Sequence, residues 1–457
     1  MKYPEFDSTK ARRRVLLCVA IAGIFLCSSR HCQAYAGPGA GFAVLSSLWT
    51  LLIAFFYSIY AFFSWPFRQL FRLFRRRKTY GKAQVKRAVI IGFDGMDPEL
   101  ADRFITEGRL PNLKRLRDQG SFRKLQTTFP AISPVAWSTF MTGVNPGKHN
   151  IYDFLARDLS NYLPFLSSAE IQEPKYKLKI GKFTLPLSGP RIRGMRRGIP
   201  FWHWLGNAGI FCSVIRVPVT FPPEKFNGVL LSGMCVPDLK GSQGTFCLCT
   251  TRESGDQFQE GGVRVPFKRR GSAYHSHVPG PDAPRDGNTT GRELRVPFEV
   301  IATKSGDQAG FRVGSESFSL KVGEYSDWIP VKFGAGIGLR AHGICRFYLK
   351  ELAPEVEVYI TPVNIDPSQP DLPISHPVAY SVYLAKLFGP YATLGLAEDT
   401  WALNENVLDD QAFSTSATPT TRIVSVCCST RWRKPQMAYV RVSSTPPIGF
   451  NTCSGAT

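Results

Sequence analysis

The run Arg87-Ala-Val-Ile-Ile-Gly-Phe93 is short, apolar and bounded by polar residues, which predicts an inner strand of a parallel sheet. Asp94 follows it, at the strand end where open α/β sheets place ligands. Gly92 and Gly95 allow the backbone to turn tightly there. Pro98 suits the first turn of a helix, and two helical stretches follow, divided by Gly108 and Pro111, with Gly120 as a C-cap. Phe122 to Thr127 alternates weakly and reads as the next strand. Pro130 and Pro134 break it, and Val135 to Met141 reads as a helix with Ser133 at or near its N-cap. Residues 251–295 are rich in Gly, Pro, Arg and polar groups and predict a long loop. From Phe298 to Ile360, short alternating runs such as Phe318-Ser-Leu-Lys-Val322 and Val356-Glu-Val-Tyr-Ile360 predict antiparallel strands. The organisation expected is an α/β core over 88–250, a β-rich cap inserted over 251–365, a return to the core over 366–413, and a tail over 414–457 with neither helical nor strand period.

The amino end has a different character. Ala11-Arg-Arg-Arg14 precedes an apolar run from Val15 to Cys27, and Ala34-Tyr-Ala36 has the form of a cleavage site, so residues 1–36 read as a signal peptide or a first apolar segment. Gly41 to Trp65 holds 25 residues without a charge, enough to cross a bilayer. Arg68, Arg72, Arg75, Arg76, Arg77 and Lys78 follow, so 37–87 reads as a transmembrane helix with a basic, interfacial juxtamembrane helix. The positive-inside rule puts the following domain in the cytoplasm; the alternative is an extracytoplasmic domain.

Net charge is +21, but it is unevenly placed. Residues 1–87 carry +13 and the tail beyond Asp410 carries +5 with no carboxylate, leaving only +3 for the middle of the chain. The basic balance therefore points to membrane lipid as a partner, with no nucleic-acid partner expected. Three of the eleven cysteines lie in the leader and three in the tail. Cys247-Leu-Cys249 is one residue short of a Cys-x-x-Cys, and no disulfide framework is evident.

Chemistry concentrates in Gly92-Phe-Asp-Gly-Met-Asp97 and in Ser133, thirty-nine residues after Asp94. A carboxylate at a strand end and a hydroxyl at a helix start can share one divalent cation and present the hydroxyl to phosphorus, while the helix N-terminus favours a phosphate. Taken singly, Ser before a helix is usually only a cap, and Asp after a strand only a turn residue. Of the histidines, His203 lies between two Trp residues and reads as a packed neighbour. His149 reads as a loop-ordering residue, and His275 and His277 fall in the predicted loop as a weak metal pair.

These residues resemble the type I phosphodiesterase/nucleotide pyrophosphatase family of the alkaline phosphatase superfamily. The similar pieces are Gly92-Phe-Asp-Gly-Met-Asp97, Leu110-Pro-Asn-Leu113, Phe129-Pro-Ala-Ile-Ser-Pro134, Met141-Thr-Gly143 and Asn145-Pro-Gly-Lys-His-Asn-Ile-Tyr-Asp-Phe154. More loosely, Ile215-Arg-Val-Pro-Val-Thr-Phe-Pro-Pro223 and Leu231-Ser-Gly-Met-Cys-Val-Pro-Asp238 resemble bacterial members. The resemblance implies an alkaline-phosphatase-like fold, a mostly parallel sheet flanked by helices and incomplete at its C-terminus. It also implies a phosphoester substrate, with Asp94 and Ser133 as metal ligands and Ser133 as the nucleophile. Two divalent cations, usually zinc, come with it. Ala136 and Phe154 stand where the nucleotide pyrophosphatases carry Asn, so nucleotide preference is not implied.

The family's remaining ligands, an Asp-plus-His pair and an Asp-His-Gly, have no counterpart in this chain's frame, so the second metal site is not expected to form. Read from the third base of the Gly449 codon, however, codon degeneracy permits I-Q-H-M-F-W, and Ser443 to Ile448 permits F-D-P-T-D-R. That string resembles the family's second metal motif. A frame change shortly after Phe413 is the expectation, with three readings: a membrane-anchored phosphodiester or pyrophosphate hydrolase, an inactive truncated remnant of one, or a phosphomutase or phosphotransferase. A non-enzymatic binding module is a fourth.

Overall fold

A computed structural model describes residues 60, 63, 64 and 87–445, with gaps at 173–176, 181–182, 187–190, 254–257, 260, 283–292, 304–305, 335–339, 397 and 417–438. The chain divides into two compact units, Met1–Arg77 and Lys78–Thr457. The expected signal segment and nearly all of the expected 41–65 span lie outside the described residues. Among those described, no helix is long and apolar enough to cross a membrane.

The second unit mixes α and β structure. Its first strand, β1 (Arg87–Phe93), leads through Asp94 into α1 (Pro98–Thr106) and α2 (Pro111–Gln119). Asp97 caps α1, its carboxylate accepting from the backbone N–H groups of Glu99 and Leu100, and Gly120 ends α2. The expected strand over 122–127 does not form. Those residues are exposed and carry no strand assignment, because no described strand offers them a ladder. The chain then enters α3 (Ser133–Thr142), closed by Gly143 at φ 68°, and the single turn α4 (Pro146–His149). Short antiparallel pairs follow, Leu155–Arg157 with Pro164–Leu166 and Ala169–Gln172 with Arg191–Gly194. After them come α5 (Phe201–Asn207), β2 (Phe211–Val217) and β3 (Gly228–Ser232).

The stretch from 247 to 360, which covers most of the expected cap, is mostly strand among the described residues. Its strands are β4 (Cys247–Thr250), β5 (Val263–Pro266), β6 (Lys268–Arg270), β7 (Ala273–Asp282), β8 (Glu293–Ala302), β9 (Gln308–Val313), β10 (Glu316–Lys321), β11 (Ile329–Gly334), β12 (Arg340–Cys345), β13 (Phe347–Glu351) and β14 (Glu357–Ile360). The loop expected over 251–295 is therefore corrected: β5, β6 and β7 lie within it. Alternation explains why, since Tyr274 and Val278 turn inward onto a shared core with Phe267, Phe298, Phe311 and Phe347. The chain leaves the cap through β15 (Asn364–Ile365), β16 (Ser375–His376), α6 (Ala379–Phe388) and α7 (Thr400–Asn404).

A last strand, β17 (Tyr439–Thr445), forms in the tail where no strand period was expected. It lies between β1 and β2, parallel to both, and β2 runs parallel to β3, while β16 closes the sheet antiparallel. The carboxyl ends of β1, β17, β2 and β3 therefore share one edge. One face of this sheet packs Ala88, Ile90, Cys212, Val214 and Leu230 beneath Trp137, Met141 and Trp202 of α3 and α5. On the other face, Ile215 and Leu231 meet Tyr380 and Leu384 of α6. That cover stops short of β1, whose Val89, Ile91 and Phe93 remain exposed, so β1 is not the doubly buried strand its composition predicts.

Candidate functional site

Asp94 and Ser133 meet at the carboxyl edge of this sheet. The β1 backbone ends in a turn through Gly95 at φ 65°, a conformation glycine adopts without strain, and this directs Asp94 toward the start of α3. Ile132 is the N-cap, so Ser133 occupies the first helical position and Pro134 the second, where its missing N–H costs nothing. Ser133 Oγ donates to Asp94 Oδ2 at 3.1 Å. Both side chains are half-buried.

The other carboxylate oxygen is also held. Trp137 Nε1 donates to Asp94 Oδ1 at 2.8 Å. Trp137 is one helical turn beyond Ser133, on the same face of α3, so one helix supplies both donors to one carboxylate. The buried indole brings the rim of its six-membered ring against β1, and a Cβ at Gly92 would sit 2.2 Å from Trp137 Cη2. Gly92 is therefore required by the indole rather than by the turn.

The loop after α3 is ordered by His149. The backbone N–H of Ile151 donates to His149 Nδ1 at 3.2 Å, so the ring proton is on Nε2, which reaches Thr139 Oγ1 at 2.9 Å. Burial, and secondarily the Arg196 guanidinium, holds the His149 pKa below its ordinary value, in keeping with a neutral ring. Arg196 is paired with Glu224, whose second oxygen approaches His203 Nε2 at 3.0 Å. The His203 ring packs on Phe226 with centroids 5.4 Å apart, as its place between two Trp residues suggested. Arg196 and Glu224 gave no sequence signal, because they are 28 residues apart and meet only through the fold.

Backbone strain gathers at the same edge. Arg216, the next-to-last residue of β2, and Val219, two residues past its end, stand at φ 52° and 56°, unusual for any residue with a Cβ and most of all for a β-branched one. The buried Arg216 guanidinium donates to the carbonyls of Ala392 and Leu394 at 2.9 and 3.0 Å. At Gly233 a Cβ would stand 2.4 Å from the Arg216 carbonyl oxygen. The stretch Ile215–Pro223 singled out in the sequence is thus a tightly fixed support rather than a free loop.

A divalent cation finds only part of a shell here. Asp94 and Ser133 would supply two oxygen donors, and zinc takes about four ligands in all. Among the described residues no group of three or more His, Cys, Asp or Glu side chains comes together. His342 contacts Asp371 at 3.4 Å and His376 reaches the Phe226 carbonyl at 3.2 Å. The thiols of Cys247 and Cys249 are buried 3.7 Å apart, and burial pushes the Cys247 thiol well up from its ordinary range, which disfavours the thiolate a metal would need.

A family model described as type I phosphodiesterase / nucleotide pyrophosphatase matches residues 88–261, less than half of the chain. It spans Asp94, α3 and the strained end of β2. No curated protein and no solved structure is significantly similar to the chain.

Proposed function

We propose that the unit beginning at Lys78 is a phosphoester hydrolase of the phosphodiesterase or pyrophosphatase kind, with Ser133 as nucleophile and Asp94 as the residue that orients it. The observation carrying this reading is the 3.1 Å hydrogen bond from Ser133 Oγ to Asp94 Oδ2, at the carboxyl edge of the sheet and inside the matched segment. With its proton directed to Asp94, the hydroxyl oxygen keeps its lone pairs for phosphorus. The start of α3 offers positive potential to a phosphate placed there. Attack forms the Oγ–P bond and releases the leaving alcohol or phosphate; water then cleaves the phosphoseryl ester and regenerates Ser133. Trp137 is a positioning residue in this scheme, fixing the carboxylate plane.

Divalent cations would supply charge neutralisation at the phosphoryl oxygens when bound. The described donors fall short of a full site, and this favours a second reading: a chain carrying the nucleophile half of the site without its remaining ligands, inactive as it stands. The frame change after Phe413 and the membrane anchoring by residues 41–65, with the domain on the cytoplasmic side, belong to this proposal as well.

Turnover of bis-p-nitrophenyl phosphate and of p-nitrophenyl phosphate, measured with added zinc, separates these readings. The hydrolase reading predicts turnover of at least one ester by the parent chain and its loss in Ser133→Ala. No turnover, together with sub-stoichiometric zinc in the purified chain, supports the inactive reading. Turnover equal in parent and variant removes Ser133 as the nucleophile.

A further inference from the structure

The β-rich region holds a cleft that the chemistry at Ser133 does not use. Strands β5, β7 and β8 line it, and its volume is about 490 Å³, within the range of small-molecule sites. Strand alternation builds its walls. On β7, Tyr274 and Val278 pack inward, so His275 and His277 emerge on the opposite face. The ladder sets Lys268 opposite His275 and Arg295 opposite Pro279. Arg264 joins them from β5, between Val263 and the buried Val265.

The charge of this cleft is unbalanced. Among the described lining residues Arg264, Lys268 and Arg295 face one carboxylate, that of Glu293, with Glu299 behind the lining at 3.9 Å from His275 Nδ1. Glu293 is already engaged, with Arg295 Nε at 3.0 Å and Lys240 Nζ at 3.5 Å. That leaves Arg264 and Lys268, neither of which has an ion-pair partner among the described residues. The Arg264 guanidinium lies over the Phe258 ring, 4.9 Å from its centroid, which helps to hold it in place at the cleft wall. Its Nε is buried and lacks a hydrogen-bond partner among the described residues, so any contact with a ligand falls to the terminal N–H groups. Burial, then Arg295, holds the His277 pKa below its ordinary value, so at neutral pH the ring is uncharged and still offers an N–H. A metal ion on the His275–His277 pair is disfavoured by the same three cations, and among the described residues no group of three or more His, Cys, Asp or Glu side chains forms there.

We infer that this cleft is an anion site for a tetrahedral oxyanion, as free phosphate or as the phosphate group of a small ligand, held by the Arg264 fork and Lys268 with an N–H from His277. A planar guanidinium edge beside a lysine suits an anion with several oxygens better than a single carboxylate.

The test uses the full chain carrying Ser133→Ala, so that chemistry at Ser133 is not read. Inorganic phosphate is titrated in one arm and glycerol phosphate in the other, by calorimetry and by the His277 ring resonance in NMR. Saturable binding is expected, with His277 titrating at higher pH when the anion is present. Arg264→Gln should weaken binding by about tenfold or more, the scale of a lost charge-assisted hydrogen bond. Arg264→Lys, which keeps the charge and loses the fork, should fall between, and both variants should melt with the parent when unliganded. If Arg264→Gln is misfolded, Lys268→Gln carries the same expectation of weaker binding. Binding by glycerol phosphate alone identifies a ligand-borne group, and equal binding by both identifies the free anion. Absence of saturation in both arms, an unmoved His277 resonance, or unchanged affinity in folded Arg264 and Lys268 variants overturns the inference.

Discussion

One carboxylate is grasped from both sides at the residue scale, and the consequences are specific. Ser133 and Trp137 divide the two oxygens of Asp94 between them, so loss of the indole N–H frees the carboxylate to rotate away from Ser133. Trp137→Phe keeps most of the apolar contact and removes only that hydrogen bond. Groups that orient a reacting residue typically contribute about 10- to 100-fold, and a drop of that size in kcat is expected with KM little changed. An equal kcat would show that Asp94 needs no such support. The places of Asp94 and Ser133 in the fold were legible in the sequence because each depends on local rules, a strand end beside glycines and a helix start beside proline. The part played by Trp137 was not read, although two signals existed: its spacing of four from Ser133, and a glycine at 92 that the turn alone did not need. Arg196 and Glu224 carried no local signal, since their pairing depends on tertiary structure.

At the scale of elements, alternation decided more than composition. Residues 251–295 look like a loop by their Gly, Pro and Arg content, yet Tyr274 and Val278 of β7 turn to an aromatic core and the strand forms. Phe122 to Thr127 has the opposite fate: weak alternation with no neighbouring ladder leaves it without strand structure. Strand β17 makes the sharpest case. It contributes the ladder to β1 from Arg87↔Tyr439 to Phe93↔Thr445, and β1 has no other strand partner among the described residues. A chain ended at Ser416 should therefore lose amide protection over Val89 to Phe93 while the cap strands β7 to β10 keep theirs. Hydrogen exchange reads this directly, and full protection of β1 in the shortened chain would mean that β17 is not its stabilising neighbour.

For the whole molecule, a buried acid links stability to pH. Asp399 caps α7 through the backbone N–H of Ala402 at 3.0 Å and accepts from Tyr359 Oη at 2.7 Å. Burial nevertheless raises its pKa from 3.8 to about 6. Because the folded value lies above the unfolded one, this residue imposes no penalty below about pH 4, and stability is lost as pH rises through about 6. The two-unit rise corresponds to about 3 kcal/mol, an upper figure for the step. Asp399→Asn, which keeps one oxygen to accept from the Ala402 N–H and sets its NH2 to donate to Tyr359 Oη, removes the titration and should flatten the step in urea unfolding between pH 4 and 7. An unaltered pH profile in the variant would assign the step to other groups. Charge at this scale was legible as well: the excess sits in the amino-terminal stretch and the tail, and the middle of the chain is nearly balanced. What composition could not show is where cations collect inside that balanced region, as they do around the cap cleft.

The central claim, that Ser133 takes the phosphoryl group while Asp94 holds it in place, is tested most directly by mass analysis of the chain after brief reaction with a phosphodiester and an acid quench. The expected result is a single phosphoryl adduct on the peptide containing Ser133, absent in Ser133→Ala and strongly reduced in Asp94→Asn. An adduct on another residue, or one that persists when Ser133 is replaced, would contradict it.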